Sequence, residues 1–290
     1  IAVDGIDLDA PRGAITGMIG PDGAGKTTTM RIACGLLLSD GGSTEVMGFD
    51  PVTQHQRVRE RIGYMPQRFS LYPDLTVQEN LSFFANLYAV SPGEYAAREP
   101  ELMRFSRLGN FRKRRANDLS GGMKQKLALI CTLIHTPDVL ILDEPTFGVD
   151  PVSRKEFWDI LRNLATDGLT LLVSTAYMDE ASLCDHLALM HEGKIVRQGT
   201  PQEVISAYPR RLLEITGKNP ALLQRTLRNR LHPGIEIHRF GDRLHVAYDT
   251  REDAKQINAL VREAKADGHP IHPTIEDVFV ALSTREQEAV

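Results

Sequence analysis

The sequence has no long hydrophobic run. Its unbroken apolar stretches are only a few residues long, far short of the ~20 needed to cross a bilayer, and the N-terminus has no signal-like pattern. A role at a membrane therefore requires another chain to supply the span. Cysteine is scarce: Cys34, Cys131 and Cys184 lie far apart in apolar surroundings, which argues against a disulfide frame or a thiolate metal site and for buried thiols in a reducing compartment. Neither sign of charge dominates. With 34 Lys and Arg against 38 Asp and Glu, the net charge is -4, and nothing global points to nucleic acid or an anionic surface as a partner. Repeats and low-complexity segments are absent as well. The chain starts at Ile1 in mid-pattern and ends at Val290 without an obvious stop, and so reads as a piece of a longer polypeptide.

What is present is an ordinary globular composition, 42% apolar and 25% charged over 290 residues, enough for one large domain and a smaller one. Apolar runs at 13–20, around Val46, and at 62–65, 139–142, 169–174, 187–190 and 195–198 read as strands; helices are expected over 26–37, from 120 to about 135, and over 152–166. Such alternation implies an α/β fold with a mostly parallel sheet covered on both faces. A helical subdomain interrupts it between about 69 and 136. Within it, 76–90 and 95–108 have helical spacing, and Phe83, Phe84, Leu87 and Tyr88 are the candidates for a buried face. After about residue 208 the order becomes β-α-β-β-α-β, with a hairpin across Gly241 and Asp242 and a closing helix over 275–282, the pattern of a small α+β module of ferredoxin-like type. The expected domains are 1–208 and 209–290.

Three motifs carry chemistry. Gly20-Pro21-Asp22-Gly23-Ala24-Gly25-Lys26-Thr27-Thr28 follows an expected strand and opens an expected helix, the context of a phosphate loop. Its glycines turn backbone N–H groups onto phosphate oxygens, Lys26 reaches the β and γ phosphates, and Thr27 holds Mg2+. Val139 to Glu144 is a buried strand ending in two carboxylates. Beside a phosphate loop, Asp143 binds Mg2+ through water and Glu144 polarises the attacking water; alone, the pair has a helix N-cap ahead of Pro145 as its lesser alternative. Ser120, Gly121 and Gly122 start a long helix, again an anion-binding geometry. One nucleotide needs one phosphate loop, so this second helix start makes sense if it serves a nucleotide held by another copy of the domain.

Together these residues resemble the ATP-binding domain of ABC transporters, over roughly residues 1–200. The three motifs match its Walker A, Walker B and signature sequences, Gln67 in Tyr-Met-Pro-Gln matches its Q-loop, and Phe147-Gly148-Val149-Asp150 its D-loop. The resemblance implies ATP and Mg2+ as ligands, with Gln67 at the metal and γ phosphate. It also implies a head-to-tail dimer with a second ATP-binding domain, and membrane-spanning permease subunits that place the protein at the cytoplasmic face of the cell membrane. Nucleic acid is not expected. The C-terminal module, with Pro273-Thr274-Ile275-Glu276-Asp277-Val278-Phe279, resembles the tail of drug and antibiotic exporters, which makes export of a small molecule the expected direction and the chain the first half of a tandem protein.

Two departures from the family bear on function. The turn after Leu171 to Thr175 carries Ala176 where the family has a histidine that contacts the γ phosphate, and a methyl group makes no hydrogen bond. Its own ATP site is thus expected to be slow, the alternatives being that Tyr177 or a water takes the histidine's place, or that alanine is tolerated without consequence. The family's adenine-stacking aromatic falls ahead of Ile1. Rival functions are a soluble ABC-type ATPase acting on ribosomes or DNA, for which the run Arg112-Lys113-Arg114-Arg115 is the sole support, and a regulatory nucleotide-binding half with little hydrolysis. His238 and His245 face each other across the expected hairpin near His232, His269 and His272, and read as exposed or interfacial rather than as a metal site.

Overall fold

The structure, a computed structural model, describes residues 1–68 and 71–288, and the chain divides into two compact units, Ile1–Pro201 and Gln202–Val290. The first carries β1 (Ile15–Ile19), α1 (Lys26–Ala33), α2 (His55–Arg59), β2 (Ile62–Met65), α3 (Val77–Leu87), α4 (Pro92–Phe105), α5 (Gly121–Leu133), β3 (Val139–Asp143), α6 (Pro151–Thr166), β4 (Thr170–Thr175), α7 (Met178–Ala181), β5 (His186–His191) and β6 (Lys194–Gly199). After α8 (Pro201–Ser206) come β7 (Arg211–Thr216), α9 (Pro220–Arg230), β8 (Glu236–Phe240), β9 (Arg243–Tyr248), α10 (Arg251–Glu263), β10 (Asp267–Ile271) and α11 (Ile275–Glu288). Among the described residues no helix is long and apolar enough to cross a membrane.

The first unit is built on a six-stranded sheet in the order β2-β3-β4-β1-β5-β6, parallel except for the β5–β6 edge pair. Every residue of β1, β3 and β4 is buried, the signature of strands covered on both faces. One helix and one strand differ from expectation. α1 stops at Ala33 rather than near residue 37, because Gly35 takes φ 67° and packs so closely that a Cβ there would sit 2.5 Å from the Pro51 carbonyl oxygen. The strand expected around Val46 is only an isolated bridge to Phe49.

In the helical insertion, α3 starts at a Thr76–Glu79 capping box and α4 at a Ser91–Glu94 box. The buried face of α3 is Val77, Asn80, Leu81 and Ala85, not the expected set, and Leu87 is exposed. The reason is Asn80. Its amide donates to the carbonyls of Tyr72, Leu75 and Thr76 and accepts from the Tyr72 N–H, which turns that edge of the helix inward and leaves Phe83 to stack with Tyr72 at 4.4 Å. Arg98 of α4 donates to the carbonyls of Leu133 and Ile134, satisfying orphan acceptors at the end of α5.

The second unit is an antiparallel sheet in the order β10-β7-β9-β8. One face is apolar, with Leu213, Ile215, Leu244 and Val246 packed in one core with Leu223 and Leu227 of α9 and Ile257 and Val261 of α10. Strand register lines up His269, Glu214, His245 and His238 in one row across the four strands. The expectation of exposed histidines fails for His245. It is 8% exposed, and its Nδ1 lies 2.6 Å from Asp277 Oδ1 of α11 and its Nε2 3.4 Å from Glu214 Oε2. Among the described residues no group of three His, Cys, Asp or Glu could hold a metal ion.

Burial pushes the His245 pKa down, but the bond to Asp277 and the charge of Glu214 outweigh it and hold the pKa above the ordinary 6.5. Asp277, despite its own burial, is held below 3.8 by His245 and by the Thr274 cap. The imidazolium contribution is full below pH 6.5 and is lost as pH rises through the raised value; the carboxylate contribution is full above 3.8 and is lost as pH falls through the lowered one. Stability of this unit should therefore be greatest between these two limits. An NMR pH titration of the full chain should place the His245 midpoint above 6.5. A midpoint at or below that value would rule the clamp out.

Candidate functional site

Register brings the functional side chains together. Ile19 pairs with Thr175 and Asp143 with Ser174, so the carboxyl ends of β1, β3 and β4 stop side by side. This is the edge where open α/β sheets place their sites. The loop Gly20–Gly25 leaves β1 there, the carboxylates leave β3, and Ala176 leaves β4. Close packing dictates the glycines: a Cβ on Gly20 would meet the Met190 carbonyl oxygen at 2.3 Å, and Gly25, at φ 105°, has the Ala2 carbonyl oxygen at 2.6 Å from where a Cβ would stand. Gly25 is the N-cap of α1 and supplies no side-chain acceptor, so the amides of the first turn keep their donors for something else.

Asp143 ties three elements. Its Oδ1 accepts from Thr27 Oγ1 of α1 at 3.0 Å and from Ser174 Oγ of β4 at 2.7 Å, while its Oδ2 is buried with no hydrogen-bond partner. The Glu144 N–H donates to Ser174 Oγ at 2.9 Å. Ser174 was missed in the sequence; a hydroxyl closing an otherwise apolar strand was the available signal. Glu144 has φ 49°, a region a non-glycine residue keeps only when its surroundings over-determine it. Its carboxylate is held on both sides, by Lys26 Nζ at 3.2 Å and by Gln67 Nε2 at 2.9 Å. Lys26 also donates to the carbonyls of Gly20 and Pro21 at 2.7 and 2.9 Å. Burial and then the charge of Asp143 push the Cys34 thiol up to about 12, which makes it inert.

The third motif stands apart from this cluster. Ser120 caps α5 by accepting from the Met123 N–H, and Ser120 and Gly121 are exposed. Gly122 is buried instead: a Cβ there would sit 2.5 Å from Ser153 Cβ, so this glycine is needed to pack α5 against the start of α6. Pro21, Asp22 and Gly23 are exposed, Ala24 is buried and Thr28 is half-buried. In the basic run Lys113, Arg114 and Arg115 are exposed and Arg112 is half-buried. Arg112 pairs with Glu99 at 3.0 Å, and Arg114 stacks on Phe111 at 5.0 Å. Beyond Ala176, Tyr177 lies under the guanidinium of Arg154 at 4.3 Å.

These residues fit phosphates and a divalent cation. A buried ammonium, a helix start with open donors, and a carboxylate with an empty buried oxygen beside a threonine hydroxyl are complementary to a magnesium-bound polyphosphate.

Comparison with known proteins decides the family. The model of the ABC transporter family matches residues 3–147, and the Nod factor export ATP-binding protein I of Paraburkholderia xenovorans (strain LB400) is 38% identical over 291 residues, covering 99% of this chain and 93% of that protein. The chain belongs to the ABC transporter family. It is an ABC ATP-binding domain, and another relative is the probable multidrug ABC transporter ATP-binding protein YbhF of Escherichia coli (strain K12), 46% identical over 230 residues. That match covers 78% of this chain but only 40% of YbhF. Among solved structures, an ATP-binding subunit of an ABC transporter superposes with TM-score 0.64 at 29% identity, covering 71% of this chain and 87% of its own. The dimeric ATP-binding cassette MJ0796, solved in a post-hydrolysis state with ADP and Pi, has TM-score 0.62 at 25% identity, with coverage of 69% and 90%.

In this ABC domain the buried Lys26–Glu144 pair makes a prediction. Glu144→Gln leaves Lys26 without a counter-charge, so the domain without nucleotide should lose about 3–5 kcal/mol, while no carboxylate then competes with phosphate for the lysine. Mg-ATP should consequently raise the melting temperature of the variant by more than it raises that of the parent, as read by scanning calorimetry. Equal shifts would mean that Glu144 does not compete for Lys26.

Proposed function

We propose that this chain is the ATP-hydrolysing motor domain of an exporter of small molecules. It works at the cytoplasmic face of the cell membrane through separate membrane-spanning permease subunits, paired head to tail with a second ATP-binding domain on the same longer chain or on a companion. The observation that carries this reading is the meeting of Lys26, Thr27, Asp143, Glu144 and Gln67 at one edge of the sheet. Both curated relatives support the transport class, one named for multidrug transport and one for Nod factor export, and the dimeric MJ0796 cassette supports the pairing.

The roles follow from the contacts. Lys26 exchanges Glu144 and the loop carbonyls for phosphate oxygens, and the amides of Gly23, Gly25 and the first turn of α1 bind the rest. Thr27 and the open Oδ2 of Asp143 hold Mg2+ with Gln67 beside them, and bound Mg2+ neutralises charge on the transferring phosphoryl group. Released by Lys26, Glu144 is the base that accepts a proton from the attacking water, and Gln67 keeps its carboxylate oriented. Ser120 and Gly121, exposed at the start of α5, serve the nucleotide of the partner domain.

Ala176 limits the chemistry of this site. Its methyl group supplies no hydrogen bond to phosphate or water, and loss of such a contact lowers a chemical rate by about 10² to 10⁴. Nucleotide binding relies on other residues and survives. A regulatory half that binds ATP and barely hydrolyses it is the second reading, favoured by Ala176 and opposed by the intact Glu144.

Two substitutions test these statements. Lys26→Ala should abolish Mg-ATP binding with an unchanged circular dichroism spectrum, and retained affinity would overturn the phosphate-loop assignment. Ala176→His should raise phosphate release by at least about ten-fold where the domain dimerises, with binding unchanged. Fast parental turnover in a dimer of this chain alone would refute the slow-site reading.

A further inference from the structure

One buried carboxylate outside the groups above has two partners that bracket a single loop. Glu180 of α7 is 2% exposed; its Oε1 accepts from the Thr146 hydroxyl at 2.8 Å and lies 3.8 Å from Arg154 Nε, and its Oε2 has no hydrogen-bond partner. Thr146 precedes the loop 147–150 and Arg154 follows it, in the first turn of α6. The loop is thus closed at its base on Glu180, with Arg154 Nη1 also 3.5 Å from Oδ2 of the exposed Asp179. The same guanidinium covers the ring of Tyr177, the residue after Ala176. On the outward side of this staple, Phe147 and Val152 are 57% and 72% exposed.

We propose that Glu180, acting through Thr146 and Arg154, is a positioning residue that couples the loop 147–150 to the turn at Ala176 and thereby sets the alignment of Glu144. The inference rests on the reading of the chain as an ATPase. Glu144 and Thr146 share one turn, in which the Phe147 N–H donates to the Glu144 carbonyl at 3.1 Å, so a shift of Thr146 is felt at Glu144. Ala176 cannot be drawn to phosphate, and the position of its turn is therefore decided from the protein side, by Arg154 on Tyr177 and by Thr146 on α7. At 3.8 Å the Arg154–Glu180 pair is an ion pair and not a hydrogen bond, and Oε2 remains as an acceptor with no hydrogen-bond partner.

The test uses the full chain, single-turnover phosphate release and ATP affinity measured in parallel, and ATP-driven dimer formation by analytical ultracentrifugation as a readout that needs no turnover. Thr146→Val and Arg154→Ala should each slow release by about ten-fold with affinity within about two-fold, and the double variant should be little slower than either, because both act through Glu180. Arg154→Lys should recover most of the loss, and Glu180→Gln, which keeps shape and acceptor but not charge, should match Arg154→Ala. Variants unchanged in both release and dimer formation would overturn the proposal. So would losses that multiply to about 100-fold in the double variant, or a rate that falls only in step with affinity. Every effect is a ratio to the parent, so a fast parent sinks only the slow-site reading, and absence of ATP binding in the parent sinks the ATPase reading.

Discussion

The pairing of β3 with β4 and of β4 with β1 is the constraint on which the site depends. Asp143 opposite Ser174 and Thr175 opposite Ile19 mean that three strands hand over to loops at the same height. A slip of one residue would turn Asp143 into the other layer and strand Thr27 without its acceptor. The two bonds to Asp143 Oδ1 then join the start of α1 to both strands, which ties the phosphate loop to the carboxylates and to the end of β4.

One charge pair in this site is balanced internally, while Asp143 keeps an oxygen with no hydrogen-bond partner. Lys26 and Glu144 are both almost fully buried and neutralise each other, with Gln67 on the far oxygen of the carboxylate. Removing either partner exposes the other to a low-dielectric interior; under the proposed function an incoming phosphate would replace Glu144 and leave it available as a base. The same economy of buried charge recurs in the second unit, where His245 stands between Asp277 and Glu214, and there it fastens a helix to a sheet instead of preparing a reaction.

Much of this was legible in the sequence because the chemistry is local. The phosphate loop, the strand ending in two carboxylates, the alternation of strands and helices and the β-α-β-β-α-β order of the second unit are all written in short spacings, and backbone geometry leaves such spacings few ways to fold. What the sequence could not state was which long-range partner each polar group would find. The buried face of α3 was misassigned by apolar size alone, since Asn80 reaches a loop that turns back on it. Gly122 read as a nucleotide contact and is also a packing requirement against Ser153, 31 positions away in the chain.

The sequence by itself determined which polar groups stand at the strand ends and that Ala176 offers none, because residue type at a strand end suffices to say what hydrogen bonds can exist there. Tertiary structure decided the couplings: Ser174 on Asp143, Glu180 between Thr146 and Arg154, and Asp277 on His245. Each of these joins residues at least 26 positions apart, and only strand register and helix packing determine which of many possible carboxylate partners comes within reach.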